Sequence, residues 1–317
     1  MKPTISIIGA GRIGHALGLA LKAAEYPIAA VVTKTASHAK NAAASIGLST
    51  LALSADELTR LPPSDIVLIC TPDDAIESVA KRLVKTRPGA KTIFLHTSGA
   101  LPAAVLAPLA NAGFSTGSMH PLVSISDPII GANVFRGAFF CLERDATGID
   151  TARELVKDLG GESFTISAEM KPLYHAAAVM ASPHLVSLFD LAVQMLAACG
   201  VKPKRAHEIL VPLVETTFKN LKVSDTEHSL TGTFARGDVE TIERHLQALR
   251  AARLSEAEAV YRLLGEHSLE LGEKNGLDPK LVKEIRKQLS TVPTIKTKPR
   301  RSPKAATKAT KAKRSKK

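Results

Sequence analysis

The stretch Ile5-Ser6-Ile7-Ile8-Gly9-Ala10-Gly11-Arg12-Ile13-Gly14 joins a short apolar run to a Gly-x-Gly-x-x-Gly turn, and a helical pattern of leucines and alanines follows it. This order is typical of dinucleotide-binding sites, where the three glycines permit a sharp turn, close approach of the pyrophosphate to the backbone, and tight helix packing. The helix N-terminus also offers N–H donors to phosphates. The alternative is a tight turn without a ligand, and a second apolar strand at residues 28–32 favours nucleotide binding. The predicted cofactor contacts in this stretch are Gly9, Gly11, Arg12, Ile13 and Gly14.

The second apolar strand ends in Thr33, Lys34 and Thr35, and no acidic residue stands where an NAD-selective site places one to hold the ribose 2′-hydroxyl. Two hydroxyls and a cation can bind a 2′-phosphate, which a carboxylate would repel. The sequence therefore predicts NADP (NADPH) as the cofactor. The alternative is that these residues are ordinary polar groups at the start of a solvated helix.

Alternation of apolar strand-like runs with helical patterns over the first half predicts an α/β Rossmann-like parallel sheet domain, and the second half shows only helical periodicity. The predicted strands lie at residues 5–8, 28–32, 65–70, 92–95, 114–118, 138–142 and 164–166. We predict an NAD(P)-binding Rossmann-like domain at 1–166, an all-α C-terminal domain for substrate binding and dimerisation at 167–290, and a disordered basic tail at 291–317.

The net charge of +12 is concentrated in that tail, which holds eight Lys and three Arg and no acid. The remaining 31 basic and 30 acidic residues nearly balance. Nucleic-acid binding is therefore expected only as non-specific contact through the tail, if it occurs. A solubilising tail without a partner is the alternative.

The other expectations concern location, membranes and metals. The three cysteines, Cys70, Cys141 and Cys199, lack metal-ligand spacing and suggest buried thiols in a reducing, cytoplasmic compartment. The apolar segment at 176–201 contains Pro, His, Asp and Gln, which favours a buried helix over a membrane span. No metal site is predicted.

Six segments, in this order, give the chain its resemblance to a known family. They are Gly9 to Gly14, Thr71-Pro72-Asp73-Asp74-Ala75-Ile76, His96-Thr97-Ser98-Gly99-Ala100-Leu101, Ser118-Met119-His120-Pro121-Leu122, Lys171 to Ala178, and Leu230 to Asp238. The chain resembles Rossmann-like oxidoreductases with a C-terminal domain of unknown function, DUF2520, within the superfamily of 6-phosphogluconate dehydrogenase, pyrroline-5-carboxylate reductase and ketopantoate reductase. The resemblance implies NAD(P)-dependent oxidation or reduction, often in interlocked homodimers.

Three residues are predicted to carry chemistry. Lys171 and His175 are four apart and share one helix face, where the resemblance places a Lys-x-x-x-Asn pair that donates a proton and orients substrate. His120 follows a strand at the edge where parallel sheets bind ligands, and the His-Pro of prephenate dehydrogenases resembles it. The alternatives are structural: a lysine in a first helical turn, a hydrogen-bonded interfacial histidine and a histidine in a turn.

Weaker expectations concern the cofactor and the substrate. Thr71, Pro72 and Ser98 are predicted to contact the cofactor, although a helix cap is an equal interpretation of Ser98. Ser182 and Arg236 are predicted substrate contacts. The sequence thus favours an NADP-dependent oxidoreductase for a small oxo, imino or hydroxy acid; the alternative is a non-catalytic NAD(P)-binding sensor or scaffold.

Overall fold

The structure, a computed structural model, describes residues 1–86, 88–144 and 146–290. The described chain forms two compact units, residues 1–186 and residues from 187 onward. The first unit contains one eight-stranded sheet. Its strands are β1 (Ile5–Ile8), β2 (Ile28–Thr33), β3 (Leu51–Ser54), β4 (Ile66–Ile69), β5 (Ile93–His96), β6 (Ser115–Pro121), β7 (Phe139–Arg144) and β8 (Glu162–Thr165).

The strand order is β3-β2-β1-β4-β5-β6-β7-β8. All neighbouring pairs are parallel except β6 and β7, which pair antiparallel. The predicted parallel Rossmann-like sheet is confirmed for β1 to β6, and β7 and β8 run together in the opposite direction. Because β1 lies centrally between β2 and β4, the glycine turn after it opens at the point where the chain crosses to the other half of the sheet, which is the usual ligand position in such sheets.

Helices cover both faces of the sheet. In the first unit they are α1 (Arg12–Ala23), α2 (Ala36–Ile46), α3 (Asp73–Val84), α4 (Ala107–Ala110), α5 (Pro128–Gly131), α6 (Ala146–Asp158) and α7 (Lys171–Ala181), with 3₁₀ helices at Ala55–Arg60, Ala103–Leu106 and Ala168–Met170. Ile7 packs into the apolar core on one face and Ile8 into the core on the other. The central strands are therefore buried on both sides, which explains their nearly continuous apolar sequence.

Helix α8 (Pro183–Ala198) follows, and the later helices are α9 (Pro203–Val223), α10 (Thr226–Ser229), α11 (Thr233–Arg236), α12 (Val239–Ala251), α13 (Ser255–Lys274) and α14 (Pro279–Ser290). The second unit has its own core, in which Leu246 of α12, Leu269 of α13 and Ile285 of α14 are buried together. The prediction of an all-helical second half is confirmed. The predicted boundary after residue 166 stays a prediction, and the compact units divide twenty residues later.

One expectation about the helical segment is wrong. The segment 176–201 was expected to be a buried helix, but none of the described residues of α8 is buried, and Val186 is 69% exposed. The stretch Ala168–Ala198 is long and apolar enough to cross a membrane by length and composition alone, which is weak evidence. Ser182 separates α7 from α8 within this stretch. The expectation was wrong because apolar composition does not show whether a helix is covered by its own chain or by another surface.

The expectation of three buried thiols is also only partly right. Cys141 on β7 is buried, Cys70 is partly exposed and Cys199 is exposed. Cys199 lies next to Gly200, just after α8 ends, and therefore shares the exposure of that helix. The predicted basic tail lies outside the described residues.

Candidate functional site

A cavity of about 490 Å³ lies at the carboxyl ends of β1, β2 and β4. Strand ends, the glycine turn and α3 supply its walls. The lining residues are Ile8, Gly9, Ala10, Gly11, Val32, Thr33, Lys34, His38, Ala55, Leu58, Thr71, Pro72, Ala75, Ser78, Val79 and Arg82. Apolar walls with a few polar groups are typical of small-molecule sites, and none of these residues is acidic.

The three glycines of the turn have different surroundings. Gly9 has φ of +95°, and an added Cβ would lie 2.7 Å from the backbone nitrogen of Thr71. At Gly14, an added Cβ would lie 2.3 Å from the carbonyl oxygen of Gly9. At Gly11 it would meet nothing within 4 Å. Gly9 and Gly14 are therefore required by the protein itself, whereas the space above Gly11 is available to a ligand.

Two features of this cavity are suited to a nucleotide. Helix α1 begins at Arg12, and its N-cap residue Gly11 has no side chain to bond the first-turn N–H groups of Arg12, Ile13 and Gly14. The hydroxyl oxygen of Thr71 is buried in the lining and has no hydrogen-bond partner among the described residues. A phosphate at the helix and a ligand polar atom at Thr71 would satisfy these groups.

The three residues predicted to bind a 2′-phosphate differ in which side chains are available to a ligand. The hydroxyl of Thr33 donates to the carbonyl of Thr35 at 2.7 Å, and the hydroxyl of Thr35 accepts from the backbone N–H of His38 at 3.4 Å. Thr33 and Lys34 line the cavity, whereas Thr35 does not. The Thr35 hydroxyl is thus the N-cap of α2, and Lys34 is the residue of the three that places a cationic side chain at the cavity.

A second polar cluster lies around the ends of β5 and β6. Lys171, at the start of α7, is fully buried, and its ammonium donates to the carbonyl of Ser98 at 3.1 Å and to the hydroxyl of Ser118. Burial lowers the pKa of Lys171, while Cys141 and Glu143 act in the opposite direction. The lysine therefore links α7 to the loop after β5 and to the middle of β6 through one enclosed ammonium group.

His120 lies at the centre of this cluster. Its Nδ1 atom is 2.6 Å from the hydroxyl of Tyr174, and its ring meets that of His175 edge to face with centroids 5.9 Å apart. Burial, together with the smaller effects of the Lys171 and His175 charges, lowers the pKa of His120 to about 4. His120 is therefore a neutral imidazole near pH 7, able to accept a proton at one nitrogen and donate one at the other.

The loop after β5 fits closely against these rings. A Cβ added at Gly99 would lie 2.6 Å from Cδ2 of His175 and 2.7 Å from Nε2 of His120, so only glycine fits. The hydroxyl of Ser98 accepts from the backbone N–H groups of Ala100 and Leu101 at 3.2 and 3.0 Å. These bonds close a turn before the 3₁₀ helix Ala103–Leu106, whose N-cap residue is Pro102, so Ser98 caps no helix. The carbonyl of Ser98 accepts from the buried lysine.

With the cavity and the cluster described, comparison with known proteins shows what the chain is similar to. A Rossmann-like domain family matches residues 2–121. A domain of unknown function, DUF2520, matches residues 138–268. The chain is a Rossmann-like protein with a C-terminal DUF2520 domain. No curated protein matches it.

Solved structures similar to this Rossmann–DUF2520 protein share its fold at low sequence identity. Protein TM1727 from Thermotoga maritima is 23% identical, with a TM-score of 0.67 over 86% of this chain and 99% of its own. A provisionally assigned NADP oxidoreductase from Bacteroides fragilis is 19% identical, with a TM-score of 0.68 over 85% of this chain and 98% of its own. Pyrroline carboxylate reductase from Plasmodium falciparum, solved with NADP bound, is 12% identical, with a TM-score of 0.54 over 85% and 98%.

The remaining predicted site residues of the Rossmann–DUF2520 protein are dispersed. Pro72 lines the cavity as the N-cap residue of α3. Ser182 ends α7, and its carbonyl accepts from the backbone N–H of Val186. Arg236 belongs to the second unit, where it is 66% exposed and lies 3.9 Å from Asp238. Among the residues that the structure describes, no group of three or more His, Cys, Asp or Glu side chains is arranged to bind a metal.

Tyr174 and Arg82 were not identified from sequence, and neither was the packing role of Gly99. Tyr174 lies between the two predicted residues Lys171 and His175, but its bond to His120 joins positions 54 residues apart. Gly99 is recognisable only from the rings packed against it. Arg82, an exposed residue on α3, lines the same cavity as the predicted Lys34. Only the arrangement of the sheet brings these side chains to their sites.

Proposed function

We propose that the protein is an NADP-dependent oxidoreductase that acts on a small oxo, imino or hydroxy acid. The observation that carries the proposal is a glycine-turn cavity without acidic lining, on the same sheet edge as a polar cluster of His120, Tyr174 and the fully buried Lys171. The likeness to an NADP-bound pyrroline carboxylate reductase supports the cofactor and the broad class of reaction. Glycines alone establish a binding site rather than a reaction, so the polar cluster is the necessary second element.

The cofactor residues have separable roles in this proposal. The N–H groups at Arg12, Ile13 and Gly14 bind the pyrophosphate, and Lys34 neutralises the 2′-phosphate. The hydroxyl of Thr71 bonds a polar atom of the dinucleotide. Once bound, NADPH supplies a hydride to the carbon of a carbonyl or imine.

The cluster residues manage the proton and the substrate. His120, neutral near pH 7, gives the proton of its Nε2 atom to the oxygen or nitrogen on which charge develops, while its Nδ1 atom takes the proton of the Tyr174 hydroxyl. The partly exposed tyrosine regains a proton from solvent. His175 orients the substrate from the adjacent ring. Lys171, whose ammonium is enclosed by Ser98 and Ser118, acts mainly by holding these elements in place and by its positive charge, which favours an anionic substrate.

The function is tested with purified protein, NADPH or NADH, and separate panels of small 2-oxo acids and cyclic imino acids. We expect at least one compound to cause loss of reduced-nicotinamide absorbance, with NADPH bound more tightly than NADH in calorimetry. Calorimetry is suitable because the chain has no tryptophan. Tight NADPH binding without consumption across both panels would instead support the sensor or scaffold alternative. Failure to bind either dinucleotide would contradict both.

We also propose that the protein is a homodimer. No described residue of α8 is buried within the chain, and α9 exposes Ile209, Leu213 and Val223, with Leu213 at 63%. Apolar helix faces of this extent are typical of interfaces, and a second copy is the occupant that the family resemblance implies.

Sedimentation of the wild type is expected to give a dimer, and Leu213→Glu on α9 is expected to shift it toward monomer. A charge buried at an apolar interface costs several kcal/mol. Gln247→Glu, on the exposed face of α12, is the matched control and should leave the dimer intact. A wild-type monomer at micromolar concentration would contradict the proposal. Cytoplasmic location and non-specific nucleic-acid contacts through the tail stay predictions.

A further inference from the structure

The charged groups that line the cofactor cavity are all basic. Of its sixteen lining residues, Lys34, His38 and Arg82 can carry positive charge and none can carry negative charge. Lys34 follows β2 and His38 lies in the first turn of α2, whereas Arg82 comes from the last turn of α3. The basic groups of the cavity thus come from two parts of the chain, the segment from β2 into α2 and helix α3.

The threonines beside Lys34 have local partners that reduce their use as ligands. The hydroxyl of Thr33 donates its only proton to the carbonyl of Thr35, and that of Thr35 caps α2 and does not line the cavity. An anionic ligand at this end therefore needs other donors to complete its shell. A phosphate has three strong acceptor oxygens, and one lysine ammonium does not saturate them.

Arg82 is suited to supply those donors. Its guanidinium donates through Nη2 to the carbonyl of Ala55, another lining residue, which fixes the side chain beside the cavity. A guanidinium has five N–H donors in a planar fork, so several remain after one bond to a carbonyl. The side chain is otherwise exposed, so these donors are accessible to a ligand.

We propose that Arg82 is a specificity-determining residue of the cofactor site, binding the 2′-phosphate of the adenosine half from the α3 side while Lys34 binds it from the β2 side. The inference rests on the proposed NADP-dependent function and adds a residue outside the β2–α2 loop. The competing explanation is that Arg82 only complements the C-terminal dipole of α3, a role that its position in the last turn also satisfies.

The test measures dissociation constants by calorimetry for wild type, Arg82→Gln and Lys34→Gln. The ligands are NADPH, NADH, adenosine 2′,5′-bisphosphate and AMP. The matched control is Lys81→Gln, which removes an adjacent exposed charge of α3 that does not line the cavity. We expect Arg82→Gln to weaken NADPH and the bisphosphate about tenfold to a hundredfold, as loss of a charged hydrogen bond does, and to change NADH and AMP by less than about threefold.

The possible failures are distinguishable. If wild type prefers NADPH and Arg82→Gln keeps that preference, or weakens NADPH and NADH equally, the role of Arg82 is overturned and the proposed function stands. If wild type binds no dinucleotide, both are overturned. Arg82→Lys checks folding and geometry together: it keeps the charge but loses the fork, and an intermediate loss of bisphosphate affinity supports the proposal. A loss in Lys81→Gln equal to that in Arg82→Gln would show a general charge effect and overturn it.

Discussion

Gly11→Asp is expected to weaken NADPH binding at least about a hundredfold, since a carboxylate close to a pyrophosphate costs several kcal/mol even when partly screened. The substitution should affect ligand binding and not the stability of the protein. An added Cβ at Gly11 contacts nothing within 4 Å, and its φ of −75° is accessible to any residue. The melting temperature should therefore stay close to that of wild type, while calorimetry shows the loss of binding.

Gly11→Ala and Gly14→Ala are the controls for this experiment. The first adds a methyl group to open space and should weaken binding less than the aspartate. The second places a Cβ 2.3 Å from the carbonyl oxygen of Gly9, so it should lower the stability of the protein itself. An aspartate at position 11 that leaves NADPH affinity unchanged would show that the pyrophosphate does not lie over this turn.

His120→Ala is expected to lower turnover about a hundred- to ten-thousand-fold on the first substrate found in the acid panels, the usual contribution of a general acid or base. NADPH affinity should change by less than about threefold, because the cofactor cavity is built from other residues. Stopped assays at saturating NADPH measure the first quantity and calorimetry the second. His267→Ala, an exposed histidine paired with Glu270, is the matched control.

Two further variants separate the roles within the cluster. His175→Ala should also reduce turnover, and Lys171→Met should reduce it while raising the pKa of His120 from about 4 toward its ordinary value, because the positive charge of Lys171 lowers it. Nuclear magnetic resonance titration of the imidazole tests this shift. If His120→Ala turns over normally and His175→Ala does not, His175 replaces His120 as the proton donor.

The cofactor half of the fold was largely predictable from sequence because its signals are local. The strand, the glycine turn and the helix lie within twenty residues, and the apolar runs of a doubly covered sheet are distinctive. Strand β3 was missed because only one of its four residues is buried, whereas all four residues of β1 and of β4 are. The reversed direction of β7 was missed because strand direction depends on the path of the chain between strands. Apolar composition does not encode that path.

The polar cluster was predictable in part. His120, Lys171 and His175 were chosen for their residue types and motif positions, and the structure brings them together in the first unit. Tyr174 and Gly99 depend on contacts between positions far apart in the chain. The threonines at the end of β2 differ from these. The sequence placed both near the cavity, but it did not show that their hydroxyls bond the local backbone.

The enclosed ammonium of Lys171 has a consequence for engineering chimeras of this protein. A crossover placed at the end of the last strand would separate the lysine from Ser98 and Ser118, leaving a carbonyl and a hydroxyl to be matched by whatever residue the donor chain supplies. An apolar residue in place of the lysine would leave both oxygens without a hydrogen-bond donor. A lysine at another position around the helix would be a buried charge without partners. A chimera with a new helical half should therefore keep α7 of this protein and join the new sequence after Ala181. Lys171 then stays with its two serine partners.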